Sequence, residues 1–460
     1  MIKHFRLLIV LTLLVGVLVV TASPVAKAQD RVKIIWFCCL GSGDNPQQQE
    51  TQLRVVDEFN ASQDEIELEI QITVFADADD AFSTLVGAGN APDVVGPVGF
   101  GGSNRFAGQW LDLEPYIEAS GMDLATIPEN LVESYRTLGE GLTGIPFAIF
   151  PGVLFYNVDL FDEAGLNYPP SVAGDPYIMP DGTEVPWDYN TVTEIAKILT
   201  VDANGNDATS PDFDPTQIVQ WGWVDQYGTL RSEFHTFGAN YVVDENGQVH
   251  IWDNWRARAQ WMWDGVWTHH FIPTNSELNS DLLAGNAFNS GRVGMARTMA
   301  WYTCCMNDLT ATDTSFDIAV QPAYEGTIYA PIDLDTFRIH KDSKHPEEAF
   351  KVLQYLLGEA AGDLLNVYGA FPVRTELQEG WLQAKAEQYP SVTHWEVIPN
   401  SAALAPNPHH EEWYPNYNEG QDRFDEFRVL LFSDDGGSMD VNAELDRLES
   451  DLQAIVDAGG

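Results

Sequence analysis

The sequence predicts an α/β fold, and three observations near the start of the mature chain predict it. Val32 to Phe37 is a short apolar run, Gly41-Ser42-Gly43-Asp44 marks a loop, and a helical pattern follows from Pro46 to about Asn60. Beyond it, Ile66, Leu68, Ile70, Ile72 and Val74 alternate strictly with Glu65, Glu67, Glu69, Gln71 and Thr73. A period of two puts alternate side chains on one face, so this is a strand with one wet side. Strand, helix and strand in succession build a sheet whose strand-end loops are open to a ligand.

Each element has a local reason. Pro46 suits a first helical turn, where its missing N–H has no intrahelical partner to lose, and Leu53, Val56 and Phe59 mark the expected buried side. A second helix is predicted over about Asp79 to Val86, stopped by Gly87-Ala88-Gly89-Asn90, and Ala91-Pro92-Asp93-Val94-Val95 begins another buried strand. Leu111-Asp112-Leu113-Glu114-Pro115-Tyr116-Ile117 reads as a turn under an apolar cap. Pro346 opens a late helix with Phe350, Leu353, Leu356 and Leu357 inward, and a closing helix aligns Leu445, Leu448, Leu452, Ile455 and Val456.

A chain of 460 residues has room for two or three domains of about 150 residues each. Hydrophobic residues make up 45% and aromatic ones 12%, which supplies large cores and excludes a disordered or fibrous chain. The formal charge of −46 repels nucleic acid and anionic lipid, and is read as a solubility device for a salty or harsh medium. At the N-terminus, Lys3, His4 and Arg6 precede an apolar run from Leu7 to Val20 and then Ala26-Lys27-Ala28, the pattern of a secretory signal peptide cleaved before Gln29. No cysteine lies there to carry a lipoprotein anchor, so the expected product is exported, soluble, and periplasmic or extracellular.

A series of phrases runs along the chain: Ala88-Gly89-Asn90-Ala91-Pro92-Asp93-Val94-Val95, Trp110 to Ile117, and Gly144-Ile145-Pro146-Phe147 followed by Leu154 to Leu166 and Pro169-Pro170. Gly291-Arg292-Val293-Gly294-Met295 with Trp301, and Ser343 to Phe350, complete it. In these phrases and their order the sequence resembles the family 1 extracellular solute-binding proteins of ABC importers, the maltose-binding-protein-like group. One departure is an insertion over residues 171 to 186, rich in Gly, Pro and Asp, which is expected to form a loop or hairpin near the cleft mouth.

The resemblance implies a two-lobed periplasmic-binding-protein fold of type II, with three hinge crossings and a central cleft. The crossings are expected near Pro146 to Pro151, Gln321 to Ala330 and Phe371 to Arg374. After the signal peptide at 1–28, residues 29–148 plus 327–372 would form the N-terminal lobe, and 149–326 plus 373–460 the C-terminal lobe. The implied function is delivery of a sugar or oligosaccharide to the transmembrane subunits of an ABC permease by hinge closure, as a monomer and without catalysis. No Gly-x-x-x-x-Gly-Lys-Ser/Thr phrase occurs, so ATP hydrolysis would belong to a separate subunit. The alternatives are the same fold binding a polyamine or metal chelate, which the acidity would suit, and a secreted glycoside hydrolase.

A sugar has polar rims and apolar C–H faces, so its receptor needs flat aromatic rings and carboxylates or amides. By position in the family pattern the first candidates are Trp301 and Trp413, the latter followed by Tyr414. Trp36 at the end of the first strand, Phe100 and Asn104 in the Gly-rich loop after Val95, Tyr156, Trp223, and Asp333 and Asp335 beside the second crossing complete the set. The adjacent pairs Cys38-Cys39 and Cys304-Cys305 flank suspected ligand loops. Two neighbouring-residue disulfides, each a stiff apolar plate under a sugar, are preferred over bridges between the pairs, a four-thiolate zinc site, or free thiols. Asp202, Asn204 and Asn206 stand at the alternating positions that open a calcium loop, but position 12 is Phe213, which favours a plain polar turn; calcium is the one cofactor considered. His269-His270 and His409-His410 could bind metal, but adjacent histidines on a strand point apart, so a hydrogen-bonding role at the surface or in the cleft is favoured.

Overall fold

The computed structural model describes residues 31–137, 140–306, 309 and 314–459, so the signal peptide lies outside the described residues. Among these residues the main sheet has ten strands. Its order runs Ile66–Ile72, Val32–Cys38, Val94–Gly99, Ile332–Ile339, Ala148–Asn157, Val293–Met299, Ile218–Asp225 and Val201–Asp202, with Phe316–Ala319 and Phe371–Pro372 also paired to Ala148–Asn157. The first three are parallel, as a strand-helix-strand start requires. The Ile332–Ile339 strand runs antiparallel to both of its neighbours.

The Ala148–Asn157 strand is buried along its whole length and serves both halves of the sheet. Its first part pairs with Ile332 to Asp335 and with Phe371–Pro372, and its second with Met295 to Met299 and with Phe316–Ala319. Gly152 sits at the changeover and donates its N–H to the Pro331 carbonyl at 2.7 Å. A Cβ there would lie 2.3 Å from Gln321 Nε2 and 2.9 Å from the Pro331 oxygen, so the close approach of these two groups to the strand demands glycine.

The helices follow the same local logic with instructive differences. Asn45 caps Pro46–Ser62 by accepting from the Gln48 N–H at 2.9 Å, while Gln48 Oε1 accepts from the Asn45 N–H. This helix turns Gln48, Gln52, Val55, Val56 and Phe59 inward and leaves Leu53 half exposed. Two glutamines displace the leucine because they have partners: Gln48 Oε1 also accepts from Gly43 N, and Gln52 donates to Cys38 Sγ and the Tyr368 hydroxyl. The second helix begins earlier than expected and spans Phe75–Gly87. The predicted turn at Leu111 to Ile117 instead enters a helix, Glu114–Ser120, with Pro115 in its first turn and left-handed Gly121 at its end. Within the 171–186 insertion, Tyr177–Ile178 pairs with Glu184–Val185 as a hairpin, and Tyr177 is buried against Trp187. Pro346–Leu357 and Val441–Gly459 bury the predicted apolar sides, although Ile455 is only half-buried.

Beneath the strand that leads to Trp301 lies a sealed group of charges. Asp225 meets Arg258 at 2.7 Å and Arg297 at 3.7 Å, with all three side chains at most 1% exposed, and Glu233 meets Arg428 at 2.9 Å. Trp223 Nε1 donates to Asp225 at 3.1 Å, and Arg297 also donates to the Ser232 carbonyl and hydroxyl. Burial opposes ionisation of Asp225, but the two guanidinium groups hold its carboxyl below the ordinary range.

Candidate functional site

Asp333 organises the site. It opens the Ile332–Ile339 strand, and its Oδ2 accepts the Trp301 indole N–H at 2.8 Å. Trp301 lies in the short helical segment Ala300–Cys305 that follows the Val293–Met299 strand, so strands from both halves of the sheet place this pair. Tyr227, half exposed and left-handed at φ 54°, lies nearly parallel to Trp301 with ring centres 6.2 Å apart. The other carboxylate oxygen of Asp333 is 3.2 Å from Nε2 of buried His410.

The segment carrying His410 also approaches the Gly-rich loop after the third strand. Asn104 Nδ2 donates to the Glu411 carbonyl at 2.7 Å, and Asn418 Nδ2 to the Arg105 carbonyl at 3.2 Å. Gly101 leaves room for the Glu411 carboxylate, which a Cβ there would meet at 2.4 Å. Phe100 packs against His409 and Tyr135, each with ring centres 4.8 Å apart, and His409 stacks on His410 at 4.6 Å.

Three carboxyls therefore share one partly dry corner. Burial opposes ionisation of Asp333, but the His410 hydrogen bond and charge, with the Trp301 hydrogen bond, hold it below its usual range. Asp335 is buried two residues along the strand; desolvation, then the charges of Asp333 and Glu411, push it up to about 8. Glu411 is raised by burial and by Asp333. Burial lowers His409 and His235, chiefly keeping both neutral. The corner offers hydrogen-bond acceptors beside a flat indole, and no nucleophile with an adjacent base comes from the predicted set.

The predicted residues separate into groups. Trp301 and Asp333 meet, with Asp335, Phe100 and Asn104 close to the same segment. Trp413 is 56% exposed and, with Asn104, lines a separate surface cavity of about 340 Å³ that also includes Arg105, Asn416 and Tyr417. Trp36, Tyr156 and Trp223 are corrections: each is at most 1% exposed and belongs to the core. Trp36 donates its indole N–H to the Gly96 carbonyl at 2.6 Å, Tyr156 packs on Phe161 and Tyr168, and Trp223 packs on Tyr189 and Trp261. Tyr414 is buried too, its hydroxyl 3.0 Å from Gln421 Oε1 and its ring 5.3 Å from the Arg231 guanidinium.

Disulfides join Cys38 to Cys39 and Cys304 to Cys305. Cys38 and Cys39 are fully buried, so the first is no open plate; Cys304 and Cys305 are half-buried beside Trp301. In the Asp202 loop the aspartate accepts from the Asn204, Asn206 and Asp214 backbone N–H groups and the Asn206 amide, which makes a closed polar turn. Those hydrogen bonds hold its carboxyl down to about 2, although desolvation opposes them. Sequence reasoning gave no ligand role to Glu411 or Tyr227, and weighed His410 only within its histidine doublet, as a metal ligand against a favoured hydrogen-bonding role. Their proximity to Asp333 and Trp301 arises from segments far apart in the chain, and the local cues were that doublet and the tryptophan at 413.

The described residues contain no helix long and apolar enough to cross a membrane. Comparison with curated proteins finds no match. Among solved structures, the ABC substrate-binding protein Lmo0181 from Listeria monocytogenes, in complex with cycloalternan, superimposes with a TM-score of 0.71 at 19% identity over 92% of this chain and 99% of that one. CpMnBP1 with mannotriose bound gives 0.70 at 18%, over 92% and 100%. Maltose-bound MalE3 of T. maritima gives 0.67 at 18%, over 92% and 99%. These likenesses identify the two-lobed α/β fold with its crossings and cleft. The model of the bacterial extracellular solute-binding proteins matches residues 44–363, and the chain belongs to that family.

Proposed function

We propose that this protein is the receptor of a bacterial ABC importer, capturing a sugar or oligosaccharide and presenting it, chemically unchanged, to a permease driven by a separate ATPase. The observation that carries the reading is the Trp301 indole, hydrogen-bonded at its edge to Asp333 and parallel to the exposed ring of Tyr227. A flat apolar face with a carboxylate at its rim complements a sugar ring, whose C–H face stacks while its hydroxyls donate. The structural neighbours named for cycloalternan, mannotriose and maltose support the same ligand class.

In this reading 29–148 plus 327–372 form one lobe and 149–326 plus 373–460 the other, and the monomer closes about the shared strand and the two later crossings. Half-buried Cys304-Cys305, next to Trp301, contributes apolar surface, while Trp413 and Asn104 form a second contact region at the rim. Export by the N-terminal leader places the receptor outside the cytoplasm.

Calorimetric titration of residues 29–460 with maltose, mannotriose and larger oligosaccharides tests the proposal. One saccharide should bind stoichiometrically and be recovered intact, and Trp301→Ala should weaken it at least tenfold, about 1.4 kcal/mol. Recovery of cleaved saccharide, or no binding across the panel, overturns it.

A further inference from the structure

Asp333, His410 and Glu411 each offer a ligand atom, and the three atoms lie within 4.8 Å of one another. We propose that they hold a divalent metal ion of the zinc type, at a site that shares Asp333 with the sugar reading but does not need a sugar to form. One imidazole and two carboxylates are donors that borderline ions accept, whereas calcium and magnesium favour oxygen alone. Metal–ligand bonds of about 2.0–2.2 Å bring donor atoms to the separations found here with small side-chain adjustments.

The surroundings support an ion. Asp333 and His410 face each other at 3.2 Å, and among the described residues no lysine or arginine forms an ion pair with Asp333, Asp335 or Glu411. The nearby guanidinium of Arg231 is instead directed to Glu412 and Gln421. Trp301 fixes the second oxygen of Asp333, the outer-sphere hydrogen bond that orients a ligating carboxylate. An independent observation concerns His235, which is fully buried and sets its ring edge-to-face against His410 with centres 6.1 Å apart; the Asn240 backbone approaches one side of the imidazole, which leaves a ring nitrogen without a partner. An unsatisfied imidazole sealed against a His-carboxylate group is costly unless a further ligand completes the set. Three protein donors leave a coordination position for water, His235 or a hydroxyl of the bound solute. Because Asp333 belongs to the Ile332–Ile339 strand and His410 and Glu411 to a segment near the Gly-rich loop, the ion would fasten these two parts of the chain together.

The test uses untagged protein spanning residues 29–460, stripped with a chelator and titrated calorimetrically with Zn²⁺, Co²⁺ and Ca²⁺ in the absence of sugar. One equivalent of Zn²⁺ should bind at least tenfold more tightly than Ca²⁺, and Co²⁺ should develop visible ligand-field bands. His410→Gln and Glu411→Gln should each weaken Zn²⁺ at least tenfold, while His269→Gln should leave it unchanged. Circular dichroism identifies variants that fold; if His410→Gln does not, loss of the Co²⁺ bands in Glu411→Gln decides. No stoichiometric Zn²⁺ binding by the wild type, or binding retained in folded His410→Gln and Glu411→Gln, overturns the proposal.

Discussion

Asp225→Ala removes the anion from a sealed group while leaving its two cations in place. Arg258 would keep its contact with the Trp261 ring at 4.7 Å and Arg297 its bonds to Ser232, but both would lose their carboxylate. Breaking a buried pair by deleting one partner costs about 3–5 kcal/mol, a large share of a typical stability of about 5–15 kcal/mol. With a melting entropy of about 2.1 cal/mol/K per residue over about 430 residues, the midpoint should fall by about 3–6 °C. Urea unfolding and calorimetry at pH 7 should agree on that loss. Asp225 is held below its ordinary pKa, so its contribution is present above the unfolded value of about 4 and is lost as pH falls through the lower folded value. The gap between wild type and variant should therefore narrow on acidification below pH 4. A midpoint unchanged within 1 °C at pH 7 would show that the two arginines are neutralised elsewhere and refute the reasoning.

Gly152→Ala should cost about 1–3 kcal/mol by forcing Gln321 and the Pro331 backbone away from the strand, while Gly87→Ala, where a Cβ meets open space, should cost nothing measurable; paired thermal melts decide. Asn157 caps the Val158–Glu163 helix through Leu160 N at 3.1 Å and reaches the Gly291 carbonyl, so Asn157→Ala should lose about 0.5–2 kcal/mol in urea titration. Burial lowers Lys385 to about 8, so the unfolded chain holds its proton to higher pH and this side chain adds a rise in stability as pH climbs from 8 toward 10. Lys385→Met should flatten that rise, read as the difference between the two proteins' urea midpoints at pH 7 and pH 9.5.

What the sequence could reveal was local. The Glu/Ile alternation of 65–74 and the prolines at 46 and 346 act within a few residues; the structure follows the prolines, and the alternation as far as Ile72, beyond which Val74 leaves the strand and is exposed. Which aromatic ring faces a solute is a tertiary matter. Trp36 is taken into the core by the Gly96 carbonyl, 60 positions along the chain, and Trp223 by Tyr189, Trp261 and Asp225. His410 meets Asp333 across a long chain separation, so although each was singled out by its own local phrase, nothing in the sequence paired them, least of all among 69 acidic groups. Leu53 failed for a related reason: buried Gln52, bonded to Cys38 and to Tyr368 far along the chain, took the face that apolar spacing assigned to it.

The ten-residue run from Ala148 to Asn157 gives the molecule a common spine. Peeling it from either flank would strip hydrogen-bonded neighbours from that flank and loosen the other, because Pro151 and Gly152 adjoin within one backbone ribbon. Damage on one side is thereby felt on the other, and neither portion could be excised at this point with its hydrogen-bonded ladder intact.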